Sequence, residues 1–285
     1  GDLLDDVVAS LPEIREELAV DDGTLNVAII GRPNVGKSSL TNRLARRERS
    51  IVADVAGTTR DAVDITIAWK GQRFCLVDTA GMRKRNQVHE DVEYYSLVRG
   101  LEAMDRADVC LLVVDSTVGV TEQDQKLAGM AIDRGCAVVI VLNKWDLITG
   151  DRQRDEFMSS LAARMTFATW APAVNVSALT GRAVDSVLAA AAKAAANHSS
   201  QVKTSQLNNL VTQIRESGHT VTQKNRRLKI HYATQTGSRP PVYTFFCNAP
   251  DLVDDGYERF LEHRLRDAFD LEGTPIRLKF RRKDG

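Results

Sequence analysis

The sequence predicts an α/β domain with a mostly parallel sheet, followed by a smaller α+β domain. Three observations lead there. Short β-branched runs alternate with helix-like stretches over the first part of the chain. An alanine-rich stretch at 183–196 reads as a long helix that closes this unit. After it the order becomes helix, two strands, helix and strand, in a remainder too short to repeat the first fold.

Leu25-Asn26-Val27-Ala28-Ile29-Ile30 opens the first unit as a strand ending at Gly31. Further strand-like runs lie at 63–69, 72–78, 109–115, 137–142 and 173–176. Helix-like stretches lie at 38–46, 91–104, 122–133 and 151–165. Lys70-Gly71 joins two of the runs and is a hairpin signal, so one edge strand is expected to be antiparallel. Asn197-His198-Ser199-Ser200 reads as a linker. Beyond it come a helix at 204–217, strands near 227–233 and 242–248, a helix at about 256–269 and a strand at 275–281. The expected units are an inter-domain helix and linker at 1–22, the α/β domain at 23–199 and the α+β domain at 200–285. Gly1-Asp2-Leu3-Leu4-Asp5-Asp6-Val7-Val8-Ala9 echoes Gly181-Arg182-Ala183-Val184-Asp185-Ser186-Val187-Leu188-Ala189, the segment that closes the α/β domain. The first residues are therefore expected to close a preceding domain of the same kind.

Composition narrows the setting. Of 285 residues, 43% are hydrophobic and 27% charged, which is ordinary for a globular protein. No stretch approaches the ~18–20 apolar residues of a membrane span, and no charged-then-apolar leader opens the chain. Cys75, Cys110, Cys136 and Cys247 form no CxxC pair and read as buried reduced thiols. A cytoplasmic protein without a membrane partner is expected. The zero net charge conceals an asymmetry: residues 200–285 carry 15 Lys and Arg against 10 Asp and Glu, the rest 23 against 28. A basic C-terminal unit hints at a polyanionic partner.

Gly31-Arg32-Pro33-Asn34-Val35-Gly36-Lys37-Ser38 matches GxxxxGK[ST] between a predicted strand and a predicted helix. Its glycines let backbone N–H groups wrap phosphate oxygens, and the helix N-terminus adds a favourable dipole. Lys37 is expected to reach the β- and γ-phosphates and Ser38 to bind Mg²⁺; Ser39 belongs to the same expected set. Asp78-Thr79-Ala80-Gly81 follows an apolar strand about forty residues after Lys37. Asp78 is placed to hold a magnesium water, and the Gly81 N–H to touch the γ-phosphate. Asn143-Lys144-Trp145-Asp146 follows another strand. The Asp146 carboxylate can accept from guanine N1–H and N2–H₂, donors that adenine lacks, which selects GTP and GDP over ATP. Lys144 would lay its stem along the base, and Asn143 would tie this loop to the P-loop. Ser177-Ala178-Leu179 comes after a further strand, where the Ala178 N–H could meet guanine O6.

With these motifs in order, the chain resembles the translation-factor-like class of GTPases. Asp54-Val55-Ala56-Gly57-Thr58-Thr59-Arg60-Asp61 narrows the resemblance to the first switch of the Era-like group. That resemblance implies a Mg²⁺ contact from Thr59, with Thr58 as second choice. Where a Ras-type domain has its water-orienting glutamine, this chain has Met82. In potassium-stimulated members of the group, a P-loop asparagine helps hold K⁺ beside the phosphates. The resemblance gives that role to Asn34; the other reading is a loop-capping side chain. No general base stands out, though Arg60, Asp61 and Arg83-Lys84-Arg85 are near.

The C-terminal unit has basic clusters at Lys224-Asn225-Arg226-Arg227-Leu228-Lys229 and Arg277-Leu278-Lys279-Phe280-Arg281-Arg282-Lys283. Ser238-Arg239-Pro240-Pro241-Val242-Tyr243-Thr244-Phe245-Phe246-Cys247-Asn248, Tyr257-Glu258-Arg259-Phe260-Leu261-Glu262 and Leu271-Glu272-Gly273-Thr274-Pro275-Ile276 resemble the KH-like domain of the Der (EngA) GTPases. Gly218, Gly237, Gly256 and Gly273 are never three apart, so the GXXG clamp of RNA-binding KH domains is missing. This unit would dock against G domains or bind rRNA by charge and shape. The resemblance covers essentially the whole chain, as a second G domain plus KH-like domain without the first G domain. It implies a monomeric GTPase switch in large (50S) ribosomal subunit assembly, in contact with that missing domain. Two alternatives stay open: an Era-like GTPase of the small subunit, and a GTP-binding scaffold with negligible turnover.

Overall fold

The computed structural model describes residues 23–46, 64–78, 100–223 and 226–283. The echo at residues 1–9 lies outside them. The first unit runs β1 (Leu25–Ile30), α1 (Lys37–Arg46), β2 (Ile65–Trp69), β3 (Gln72–Leu76), a helical stretch at 100–106, β4 (Val109–Asp115), α2 (Glu122–Asp133), β5 (Ala137–Asn143), α3 (Asp151–Arg164), β6 (Ala173–Asn175) and α4 (Val184–Ser199). The sheet order is β2-β3-β1-β4-β5-β6. Only the β2–β3 hairpin is antiparallel, and every other pair is parallel. Both hairpin-turn residues sit at positive φ, 48° for Lys70 and 82° for Gly71, the backbone a two-residue turn between twisted strands requires.

All residues of β4 and β5 are buried, because helices cover both faces of the sheet. Alternate side chains feed two cores. Val27, Leu40, Leu111, Val139 and Ala191 meet on the face covered by α1 and α4. Ala28, Leu112, Val138, Ala128 and Phe157 meet on the face covered by α2 and α3. The ends of α2 are set locally. The Thr121 side chain accepts from the Asp124 N–H and the Asp124 carboxylate from the Thr121 N–H, a reciprocal cap worth about 1 kcal/mol.

The second unit runs α5 (Thr204–Glu216), the short pair β7 (Thr222–Gln223) and β8 (Arg226–Arg227), then β9 (Ile230–Gly237), β10 (Val242–Cys247), α6 (Asp255–Ala268) and β11 (Arg277–Arg282). Its three-stranded sheet has the order β11-β10-β9, with β10 parallel to β11 and antiparallel to β9. Leu207 and Ile214 of α5 and Leu261 and Leu265 of α6 pack on Tyr243 and Phe245.

The units are joined by the loop before β11. The Gly273 N–H donates to Trp170 O and Gly273 O accepts from the Val138 N–H, both at 2.8 Å. The expected linker at 197–200 is corrected here. Asn197, His198 and Ser199 form the last turn of α4, and Ser200 caps it. The turn persists because partners from the second unit hold it. Asn197 Nδ2 donates to Glu272 O at 2.9 Å, His198 Nδ1 meets Thr274 Oγ1 at 2.8 Å, and Arg239 N–H donates to His198 O. Lys193 pairs with Glu272 beside them.

His198 is 4% exposed. Its burial, with the Arg239 charge nearby, brings its pKa down from 6.5 to about 4. The unfolded chain therefore binds this proton first as pH falls. Stability is complete above pH 6.5 and is lost as pH falls toward 4, by roughly 3 kcal/mol in total. Chemical denaturation at stepped pH is expected to show this loss and to show it flattened in His198→Asn.

Candidate nucleotide-binding site

Four loops at the C-terminal ends of the parallel strands build the site. The P-loop leaves β1 and enters α1. Gly31 has φ 146°, and a Cβ there would stand 2.5 Å from Val113 O. Gly36 has φ 99°, and a Cβ there would stand 2.2 Å from Asn143 Nδ2. Both positions need glycine, since the backbone must curl against its neighbours. Asn34 is also left-handed, at φ 66°, and its side chain is exposed. Val35 is the buried anchor of the loop at 1% exposure, while Pro33 and Ser38 are half-buried and Ser39 exposed. Lys37 Nζ donates to Gly31 O at 2.5 Å and Arg32 O at 2.6 Å, so its ammonium lies across the mouth of the loop.

Asn143, at the end of β5, joins the phosphate loop to the base loop. Its Nδ2 donates to Val35 O at 2.7 Å, and its Oδ1 accepts from the Ala178 N–H at 2.9 Å. The side chain is 2% exposed, and both ends of the amide are satisfied. The Ala178 amide, expected to reach a guanine carbonyl, thus donates to Asn143 in this structure. Ser177 is buried and holds the following turn, its Oγ accepting from the Thr180 N–H. Leu179 is 78% exposed beside it. Lys144 takes a left-handed backbone at φ 61°, which starts the short 3₁₀ turn Trp145–Leu147. Asp146 in that turn is half-buried, and its carboxylate has no hydrogen bond or ion pair among the described residues. An acceptor left open in this way fits a ligand that brings its own N–H donors.

Three partners were not readable from the motifs. Asp115, at the end of β4, pairs with Lys144 Nζ at 2.5 Å and accepts from Thr117. Burial pushes its carboxyl up, but the bonds from Lys144 and Thr117 outweigh that and hold it below the usual carboxylate range. Arg32 of the P-loop meets Asp124 at 3.0 Å and 3.1 Å, which fastens the loop to the capped start of α2. Arg43 of α1 donates to the carbonyls of Ala178 and Leu179. The only sequence signal for these was residue type: carboxylates at a strand end and a helix start, and an arginine in the second turn of the P-loop helix.

Asp78 follows β3, its N–H donating to Asp64 Oδ1 at 2.9 Å. Thr58, Thr59, Arg60, Asp61, Thr79, Ala80, Gly81, Met82 and Arg83-Lys84-Arg85 lie outside the described residues. Among the described residues no cluster of His, Cys, Asp and Glu could hold a metal by itself. A magnesium held by one hydroxyl, waters and phosphate oxygens needs no such cluster.

The strand order, the glycine cradle, the invading lysine and the guanine-type loop define a P-loop GTPase domain, here followed by a KH-like domain. Residues 26–144 match the family model described as 50S ribosome-binding GTPase. Residues 201–281 match the model described as the KH-domain-like C-terminal part of EngA bacterial GTPase enzymes. The chain belongs to the Der (EngA) GTPase family. It is 46% identical over 284 residues to GTPase Der of Halothermothrix orenii, covering 99% of this chain and 65% of that protein. It is 47% identical over 285 residues to GTPase Der of Symbiobacterium thermophilum, covering 100% of this chain and 60% of that protein. The chain thus spans somewhat under two thirds of the length of these relatives. Among solved structures, a point variant of Aquifex aeolicus Era bound to GDP.AlF4- matches 92% of this chain at 20% identity and a TM-score of 0.47.

Proposed function

We propose that the chain is a GTP-binding and GTP-hydrolysing switch that serves large ribosomal subunit assembly. The observation that carries it is Asn143, whose one buried amide fixes the phosphate loop and the base loop relative to each other. Gly31 to Ser39 cradle the phosphates, and Lys37 turns from its own loop carbonyls to the β- and γ-oxygens. Asp146 reads guanine, Lys144 covers the base, and Ala178 and Leu179 line the base loop. Ser38, Thr59 and the water-bridged Asp78 would hold Mg²⁺, which neutralises charge on the transferred phosphoryl group. Gly81 would offer its N–H to the γ-phosphate, with Thr79 and Ala80 in the same segment. Asn34 would hold K⁺ at the mouth of the loop, where a cation replaces the missing water-orienting glutamine. The units are the G domain at 23–199 and the KH-like domain at 200–285, with 1–22 as a connector. The name of the matched family model and the basic C-terminal unit support ribosomal RNA as partner.

Hydrolysis of GTP in KCl and in NaCl, with and without large ribosomal subunits, tests this reading. Turnover is expected to rise in KCl and with subunits, and Asn34→Ala is expected to erase the difference between the salts. Equal rates in both salts would remove K⁺ from the scheme. Negligible turnover everywhere, with GTP binding intact, would leave a scaffold.

A further inference from the structure

The helices of the second unit cover one face of its sheet; the other is open at Tyr232, Lys279 and Arg281, while Thr244 in its middle is buried. Register fixes what stands on the open face. Tyr232 of β9 pairs with Phe246 of β10, and Phe246 with Arg281 of β11. In the next row Thr234 pairs with Thr244, and Thr244 with Lys279. These residues alternate with Ala233, Phe245 and Phe280, which face the helices, and Tyr232 and Phe246 are not part of the helix-side core.

The Tyr232 and Phe246 rings are stacked, 4.4 Å between centroids and 13° between planes. Tyr232 is 37% exposed and stands on an edge strand. Lys279 and Arg281 are exposed and have no ion-pair partner among the described residues. No carboxylate occupies an outward position in these rows. At the Tyr232 end of the sheet the field is positive as well: beyond the effect of burial, Lys283, Lys229 and Arg215 all depress the pKa of His231.

We infer that the open face of β9, β10 and β11 binds single-stranded RNA, stacking a base on Tyr232 and Phe246 and meeting phosphates with Lys279 and Arg281. A stacked aromatic pair exposed at Tyr232, beside cations with no ion-pair partner among the described residues and no carboxylate in these rows, suits a polyanion whose bases carry π-faces. A duplex hides those faces. Two positions along β9 from Thr234, the exposed Thr236 supplies a hydroxyl that can meet a ribose 2′-OH, held 2.8 Å from the buried Thr244 Oγ1. This deepens the ribosome reading above, on which it rests for the choice of RNA, and it places contact on the sheet rather than on a GXXG loop.

The test uses the full chain and fluorescence anisotropy with a labelled, unstructured RNA oligonucleotide, the same sequence as DNA, and the RNA as a duplex. The single-stranded RNA is expected to bind tightest. Tyr232→Ala is expected to weaken it roughly tenfold and Tyr232→Phe to restore it. The double variant Lys279→Gln with Arg281→Gln is expected to reduce the salt slope by about 1.4, the share of two phosphate contacts on a single strand. Unchanged affinity in Tyr232→Ala, with an unchanged melting curve, would overturn the inference. So would equal affinity for the duplex or for DNA, or a dimer of the chain that Tyr232→Ala dissolves. Sedimentation with large subunits separates the two readings: GTP-dependent pelleting untouched by Tyr232→Ala would sink the sheet face alone. Oligonucleotide binding lost in Tyr232→Ala, without pelleting by the parent chain, would keep the face and sink the ribosome.

Discussion

Asp146→Asn is expected to lower GTP affinity by about 10³-fold and to admit xanthosine triphosphate in its place. The carboxylate has no partner of its own among the described residues, so its acceptors are available to a ligand. On the proposed reading guanine would bring two N–H groups to that carboxylate, and charge-assisted bonds of this kind are worth about 1.5–3 kcal/mol each. An asparagine turns an amide N–H toward one of these donors, which pairs donor with donor. Xanthine has a carbonyl where guanine has its amino group, and so suits the variant. Titration with fluorescent GTP and xanthosine analogues reads the exchange directly. A variant that binds GTP as the parent does would take Asp146 out of base recognition. The fold should not change, because Asp146 lies in a short surface turn that Lys144 and Trp145 hold by their backbones.

Gly273→Val is expected to separate the two units and to cost at least about 3 kcal/mol. Gly273 has φ 77°, where a β-branched residue is strained, and a Cβ there would stand 2.5 Å from Ala194 Cβ. The same residue exchanges bonds with Trp170 and Val138, so it cannot retreat without breaking both. Calorimetry is expected to resolve two transitions in the variant. Gly218→Ala is the matched control. It shares a positive φ of 74°, has nothing within 4 Å of a Cβ, and should lose only about 1 kcal/mol. A melting profile that Gly273→Val leaves unchanged would show that the units do not depend on this loop.

Local chemistry explains which parts were legible in sequence. The expected strand at 109–115 and helix at 122–133 coincide with β4 and α2. One is an unbroken apolar run and the other opens with Thr121 and Asp124, so both declare their ends within a few residues. The strand expected near 227–233 is instead a two-residue piece, Arg226–Arg227, and then β9 from Ile230 to Gly237. There the chain alternates polar and apolar residues without a clear stop. The curl of the P-loop and the Asn143 link to it were legible because their spacing is local and chemically specific. The partners that hold them were not. Arg43 finds Leu179 across 136 residues and Arg32 finds Asp124 across 92, and no local pattern encodes such pairings. The last turn of α4 was misread for the same reason: its polar composition suggests a linker, while its bonds come from residues beyond 235.

The strap at Gly273 also bears on how the chain is made. Val138 and Trp170 wait for a partner that is synthesised about 135 residues after Val138. At ~5–20 residues per second, that interval is roughly 7–27 s. Throughout it, the lower end of β5 has an amide without its acceptor, and the Trp170 side lacks its cover. The nascent G domain can assemble its sheet and both cores early, but this corner closes only when the loop before β11 has emerged.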